Sequence, residues 1–471
     1  MFFKNKYSID NIRKYIVGFD KKVILRNGKK TVYINFDNAA STPVLLPVLD
    51  KVNHFLEWYS SIHRGTGYKS RISTDIYEEC RDIVSSFVNC DKNKNAIIFV
   101  KNTTEGINKL SYRLNLSYND IVLTSFMEHH SNDLPWRNKA KLLRIKLLDN
   151  GQLDLDDLEY KLRLYQGKVK LVAITGCSNV TGYINDIHFI SSIAHSYGAK
   201  ILVDAAQLVP HRKVNMKGYK DDDYIDFLVF SGHKMYAPFG TGVLIGPKSV
   251  FENGDPEYSG GGCVLSVSED HVYWDSPPEK EEAGTPNVVG AVSLASSIKI
   301  LEEIGFKNIV NHEKELTKHI FSKLQTFKSL NLYNVKKEIS LNNIVGVVPF
   351  NDKNISHLLL ASLLSYEGGI GVRNGCFCAH PYVHKLLKLT PQEIIKLQQD
   401  ILFGRLEHIP GLVRVSFGMY NTKSEVNKFI KTLGYIIENK DDILKEYIYN
   451  KKTNEYIPKI LPEGMFNEFY L

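Results

Sequence analysis

Five short polar stretches of this chain each follow an apolar run, and each offers residues that could do chemistry. Asn102-Thr103-Thr104-Glu105 follows Ile97–Val100. Hydroxyls and free backbone N–H groups at a helix start suit a phosphate. His129, within Met127-Glu128-His129-His130-Ser131-Asn132, follows Ile121–Thr124 and could stack on a ring or carry a proton. No metal is expected at the His-His pair, because no further ligand falls near it at a convincing spacing. Asn179, after Leu171–Ile174, could donate to a ligand or shape a turn. Asp204-Ala205-Ala206-Gln207 follows Ile201–Val203, where a desolvated carboxylate calls for a cationic partner. Gln207 could face the same site. Ser231-Gly232-His233-Lys234 follows Phe227–Phe230. A desolvated lysine near other cations has the lowered pKa that Schiff-base chemistry needs, and Ser231 and His233 could hold a phosphate.

Taken singly, each stretch has a plainer reading: an N-cap, a solvated histidine pair, a turn, a capping aspartate, a loop lysine. Their joint placement is more specific. The apolar runs are short, rich in β-branched and aromatic residues, and bounded by turn residues, as buried strands are. Helical stripes alternate with them: Ile72, Ile76, Cys80, Ile83, Val84 and Phe87, with Ser73 or Thr74 as a cap; Ile107, Leu110 and Leu114; Ile187, Ile190 and Ala194. Such alternation predicts an α/β fold with a mostly parallel sheet covered by helices on both faces. Ligands bind such sheets beyond the carboxyl ends of the strands, where these polar stretches fall. A phosphate cup, a ring-stacking histidine, an aspartate for a ring nitrogen and a lysine thirty residues later ask for pyridoxal 5′-phosphate.

Beyond Val289 the character changes to Lys/Glu-rich helical stretches such as Leu301–Leu324, with strands at Ile344–Val348 and Leu412–Phe417. The expected organisation is an N-terminal segment, 1–35, packed with a small α+β domain, 291–425; a large cofactor-binding domain, 36–290; and a helix and surface-wrapping tail, 426–471. Tyr33–Phe36 reads as the strand that enters the large domain.

Composition bounds the function. The chain has 471 residues, 43% hydrophobic and 24% charged, which excludes disorder and fibrous repeats. Its net charge of +7 is mild, with no basic stripe or recognition motif, so nucleic acid is not an expected partner. No apolar run can span a bilayer, and no signal segment opens the chain. Six sparse cysteines favour a reducing, cytoplasmic setting.

The chain resembles the class V aminotransferase superfamily of pyridoxal-phosphate enzymes, which has the type I fold and so implies a mostly parallel seven-stranded sheet in a large domain, with helices on both faces, plus a smaller α+β domain. Within it, the chain is most similar to group II cysteine desulfurases and selenocysteine lyases. The resemblance rests on Asp37-Asn38-Ala39-Ala40, His63-Arg64-Gly65, Asn102–Glu105, Met127–Asn132, Val203–Gln207, Ser231–Lys234, Glu282-Ala283-Gly284-Thr285-Pro286 and Gly371-Val372-Arg373-Asn374-Gly375-Cys376-Phe377-Cys378. It implies that Lys234 links to the cofactor, Asp204 pairs with the ring nitrogen, Gln207 with the ring hydroxyl, and His129 stacks on the ring. Thr103, Thr104, Ser231 and His233 would serve the phosphate, with Asn179 beside the cofactor. Thr285 would reach the phosphate of a second copy, which implies a homodimer. Arg414, with Asn38, Ala39, His63 and Arg373, would hold the amino-acid substrate. Cys378 would be the nucleophile that takes sulfur from L-cysteine, leaving alanine and a persulfide for a protein acceptor. Many desulfurases have histidines before that cysteine; this chain has Cys376-Phe377-Cys378, as some molybdenum-cofactor sulfurases do. Selenocysteine lyase, another C–S lyase, an aminotransferase, or a regulator without turnover are the alternatives. Lys234, His129, Arg414 and Cys378 together argue against the last.

Overall fold

The five apolar runs are strands in the computed structural model, which describes residues 6–334 and 340–466. One sheet has seven strands: β1 (Asn95–Val100), β2 (Ile121–Ser125), β3 (Lys141–Ile145), β4 (Val169–Thr175), β5 (Lys200–Asp204), β6 (Phe227–Ser231) and β7 (Gly242–Pro247). Their order is β1-β7-β6-β5-β4-β2-β3. β2 to β6 pair in parallel, and β7 runs antiparallel to β1 and β6. Ile98, Val122, Ala173, Leu202, Val229 and Leu244 fill the core, with Ile107 and Leu110 of the helix Thr103–Arg113 and with Trp136. That helix packs on β6 and β7, and the helix Ile187–Ser196 packs on β5.

Contacts divide the chain into two compact units. The first contains Ser41–Ser178 and Ile184–Phe306, and with them the seven-stranded sheet. The second contains Ile9–Ala40, Asn179–Tyr183 and Lys307–Leu471. Its sheet has four antiparallel strands, β8 (Leu330–Leu332), β9 (Val347–Asp352), β10 (Arg373–Gly375) and β11 (Leu412–Ser416), in the order β8-β9-β11-β10. Phe36, Phe417 and Phe429 build its core edge to face, with Phe36 5.3 Å from Phe417 and 6.0 Å from Phe429. Truncating a ring buried this way costs about 3–5 kcal/mol. Ile34–Asn35 pairs in parallel with Ile370–Gly371 within this unit.

Three local expectations are corrected. The helix Tyr68–Phe87 begins before Ser73 and Thr74, so neither caps it. Ser73 instead accepts the Ser60 N–H at 2.8 Å, and Thr74 donates to Ser70 O one turn back. The stretch Leu301–Leu324 is the end of one helix, Val288–Ile304, and the whole of another, Phe306–Leu324. Gly305 separates them at φ 85°, a conformation glycine adopts freely. The strand expected at Ile344 starts at Val347, because Val345 donates to Gly182 O and Val347 N turns back onto Val345 O. The C-terminal segment contains a hairpin, Tyr447–Asn450 with Glu455–Pro458.

Candidate active site

In the first unit, the ends of β1, β2, β5 and β6 carry the polar stretches. Asn102 caps the helix Thr103–Arg113 by accepting the Glu105 N–H at 3.0 Å. Backbone N–H groups at a helix start of this kind suit an anion. Thr103 is buried there, its N–H and hydroxyl both bonded to Ser231 Oγ at 2.8 and 2.7 Å. Thr104 Oγ1 lies 2.7 Å from Ser131 Oγ, and Ser131 Oγ lies 2.9 Å from His129 Nδ1. The Ser131 backbone N–H also donates to His129 Nδ1, at 3.1 Å. A lone pair on Nδ1 places the imidazole proton on Nε2. Two sequence-selected groups from different segments, Thr104 and His129, are thus joined through Ser131.

Ser131 and Glu128 are site residues the sequence reasoning missed, although both lie inside the stretch Met127–Asn132. Glu128 is fully buried and accepts from Ser125 Oγ at 2.5 Å and Asn132 Nδ2 at 2.7 Å. Burial pushes its carboxyl up to about 8, against those hydrogen bonds and with the Asp204 charge adding to the rise. The signal available was a polar pair directly after a buried strand.

Asp204 is buried at the end of β5 and accepts the Ala206 N–H at 3.0 Å. Burial raises its pKa, and the nearby Lys234 charge opposes that rise. Gln207 is buried, with its Nε2 3.2 Å from His211 Nε2 and its Oε1 unpartnered. Gly232–Lys234 forms a short 3-10 turn after β6, held by Thr42, whose N–H and hydroxyl donate to His233 O at 2.9 and 3.1 Å. Burial, then the Lys234 charge, push the His233 imidazole down to about 4, so it is neutral near pH 7.

His63 and Thr285 share a cavity of about 240 Å³, with Arg64, Glu279 and Gly284 in its wall. His63 Nε2 lies 3.2 Å from Glu78 Oε1, a hydrogen bond that raises its pKa. Thr285 is exposed, but the segment before it is anchored. Glu282 takes a bidentate bond from Arg81 at 2.9 and 2.8 Å, and accepts from Tyr77 Oη at 2.7 Å and Phe99 N at 2.6 Å.

In the second unit, Arg414 is buried in the middle of β11. Its Nη2 donates to Asp37 Oδ1 and its Nη1 to Asn179 O, both at 2.8 Å, while Nε has no partner. Burial lowers its pKa, and Asp37 opposes that. Arg373 faces Arg414 in register, exposed, 3.8 Å from the other Asp37 oxygen. Asn38 does not offer a free group here. Its Nδ2 donates to Asn35 O, Ser416 O and Asn421 Oδ1, and its Oδ1 accepts from Tyr420 Oη at 2.9 Å. Ala39 N–H donates to Ser416 Oγ at 2.9 Å. Asn179 Nδ2 donates to Phe377 O at 2.7 Å. Gly375, Phe377 and Cys378 have φ of 100°, 52° and 54°. A non-glycine residue rarely adopts that left-handed region, and such strain persists where surrounding contacts hold it. It leaves Cys378 exposed, while Cys376 is less so and donates to Pro410 O at 3.6 Å. Burial, with the neighbouring Cys378 charge, pushes the Cys376 thiol up to about 11.

Residues 34–429 match the class V aminotransferase profile. The chain belongs to the class V aminotransferase family. It is similar to the probable cysteine desulfurases of Staphylococcus epidermidis and Halalkalibacterium halodurans. The first is 34% identical over 433 residues, covering 88% of this chain and 96% of the relative. The second is 34% identical over 431 residues, covering 90% and 96%. Among solved structures, the apo cysteine desulfurase of Thermococcus onnurineus has a TM-score of 0.77 at 32% identity, over 91% of this chain and 98% of that one. A cysteine desulfurase of Escherichia coli has 0.75 at 27%, over 92% and 99%. At these TM-scores the chain shares the α/β fold of both solved cysteine desulfurases. Among the described residues, no helix is long and apolar enough to cross a membrane.

Proposed function

We propose that this class V enzyme is a pyridoxal-phosphate-dependent cysteine desulfurase. The observation that carries the reading is the donor set at the strand ends. A helix N-terminus with two hydroxyls suits a phosphate, the buried Asp204 suits a ring cation, and the orphaned Gln207 Oε1 suits a ring hydroxyl. The residues therefore fit the cofactor. Bound there, the cofactor supplies an aldehyde for an amine and a ring that accepts the electron pair of the substrate Cα–H bond.

The chain's own residues do the rest. Thr103, Thr104, Ser231 and neutral His233 hold the phosphate, and Asn179 stands beside the cofactor. Asp204 holds the ring-nitrogen proton. His129 stacks on the ring with its proton on Nε2. Lys234 makes the covalent link and moves the Cα proton. Arg414 presents its unpartnered Nε and an adjacent N–H to the substrate carboxylate, the bidentate geometry that guanidinium favours. Arg373 adds positive charge, His63 stands on the substrate side, and Asn38 and Ala39 hold the turn that follows Asp37. The Cys378 thiolate attacks the substrate sulfur. The C–S bond breaks with its electron pair kept by the substrate carbon skeleton, the proton given up by the Cys378 thiol is balanced by one taken at Cβ, the proton moved from Cα returns to Cα, and alanine and a Cys378 persulfide result.

Thr285 serves the phosphate of a second copy in this reading, which makes the enzyme a two-fold homodimer. A reducing cytoplasm suits its six thiols, and a protein thiol suits the outgoing sulfur. The test is purified enzyme with L-cysteine, with selenocysteine, and with cysteine plus a keto acid. Alanine and persulfide in equal amounts from cysteine support the reading. Alanine from selenocysteine alone, or amino transfer to the keto acid, overturns it.

A further inference from the structure

The C-terminal hairpin lies beyond residues 34–429, the part that matches the family, and its contacts lead toward the cysteine pair. Its strands are Tyr447-Ile448-Tyr449-Asn450 and Glu455-Tyr456-Ile457-Pro458, and Tyr449 and Tyr456 pair across it with ring centroids 5.4 Å apart. Asn454 turns the loop at φ 55°, and its Oδ1 accepts from Tyr449 Oη at 2.5 Å. The hairpin packs on the helix His357–Gly368.

Two phenols tie it to the second unit. Tyr447 is buried, and its Oη donates to Glu367 Oε1 at 2.8 Å. Glu367 also receives Arg26 Nε at 2.5 Å, and the helix end it occupies leads directly into Ile370–Gly371 and β10. Tyr456 Oη donates to Glu407 Oε1 at 2.8 Å. Glu407 belongs to the loop that enters β11, and two successive residues of that loop, Pro410 and Gly411, are seated on the cysteine segment, while Ile409 before them is tied to the helix His357–Gly368. Ile409 O accepts from His357 Nε2 at 2.8 Å, and Pro410 O accepts from Cys376 Sγ at 3.6 Å. Gly411 lies so close to Gly375 that an added Cβ would come within 2.8 Å of its Cα. The loop thus cannot shift without moving the partner of the Cys376 thiol.

We propose that the C-terminal hairpin is a clasp that, through Tyr456 and Glu407, keeps the Cys376 thiol seated on the Pro410 carbonyl, so that Cys378 alone of the pair stands open. Tyr456 is a positioning residue in this account: it touches neither substrate nor cysteine. A hydrogen bond to a charged carboxylate is among the stronger kinds, so its loss frees the loop locally rather than unfolding the unit. The importance of leaving only Cys378 open rests on its role as the sulfur-accepting nucleophile; the seating of Cys376 does not.

The test is alkylation of the full-length protein by iodoacetamide under native conditions, in a Cys378→Ser background, with each thiol followed by peptide mass spectrometry. No turnover is needed, so the result is separate from the desulfurase assignment. Tyr456→Phe removes the donor and should speed Cys376 alkylation about tenfold. Glu407→Ala removes the acceptor and should do the same. Glu407→Gln keeps an acceptor and should stay within about twofold of the parent. The buried thiols Cys80 and Cys90 of the first unit report general loosening, and their rates should not move. Unchanged Cys376 alkylation in Tyr456→Phe and Glu407→Ala would overturn the clasp. So would a parallel rise at Cys80 and Cys90.

Discussion

Phe377, the residue before the proposed nucleophile, rests against Arg414: the guanidinium carbon lies 4.9 Å from the ring centroid. Asn179 closes the same arrangement, accepting from Arg414 and donating to the Phe377 carbonyl. The proposed carboxylate clamp and the nucleophile loop are therefore one packed assembly within the second unit.

The clamp is open to direct test. Arg414→Lys keeps a positive charge but loses the planar fork and the stacking on Phe377. The KM for cysteine should rise by at least about tenfold, while the cofactor absorbance of the resting protein stays as in the parent. Steady-state alanine release measures the first and absorbance the second. An unchanged KM would place the substrate carboxylate elsewhere.

Lys234 is the expected site of covalent cofactor attachment. Borohydride reduction of the holoprotein followed by peptide mapping should find the pyridoxyl group there. Attachment to any other lysine would contradict the site as assembled.

Glu128 gives a pH prediction. Its folded pKa of about 8 lies above the ordinary carboxyl value, so the folded state binds the proton more tightly than the unfolded one. The stability it contributes is fully present below about pH 4.5 and is lost as pH rises through about 8. Glu128→Gln mimics the neutral carboxyl, with its amide facing Ser125 and its carbonyl facing Asn132. Thermal unfolding of the apoprotein should show the variant gaining on the parent as pH rises from 5 to 9 (roughly the span of the shift). A constant difference across that span would mean that the Glu128 carboxyl is already ionised at its lower end.

His233 runs the other way. Its folded pKa of about 4 lies below the ordinary imidazole value, so the unfolded chain binds the proton first. The apoprotein should lose stability as pH falls from about 6.5 toward 4, and His233→Gln should flatten that slope. Equal slopes in parent and variant would show that His233 protonates freely in the fold.

Much of the fold was readable because buried parallel strands are continuous apolar runs, as in Leu171–Ile174 and Phe227–Phe230. Lys141–Ile145 did not stand out: it is an edge strand interrupted by Lys141 and Arg144, and only Ile145 is buried. Gly242–Pro247 was hidden by its glycines, although both are required by close neighbours; a Cβ at Gly246 would meet Phe227 at 2.5 Å. Asp204, Lys234 and His129 could be selected because they follow strands. Ser131 and Glu128 could not be separated from their neighbours, since the direction of a polar side chain depends on partners distant in sequence or across a turn. The hairpin Tyr447–Pro458 gave no alternation of apolar and polar residues, because its tyrosines bury their rings while their hydroxyls reach Glu367 and Glu407.

The central claim is that Cys378 receives the sulfur. A single turnover of the parent enzyme with L-cysteine, quenched and mapped by mass spectrometry, should place one extra sulfur on Cys378 for each alanine formed. Cys378→Ser should still bind cofactor and cysteine, because those need the strand-end residues and Arg414, yet lose persulfide and alanine by orders of magnitude. Cys376→Ser should fall far less. Unchanged alanine release from Cys378→Ser, or the extra sulfur found on Cys376 instead, would contradict the account.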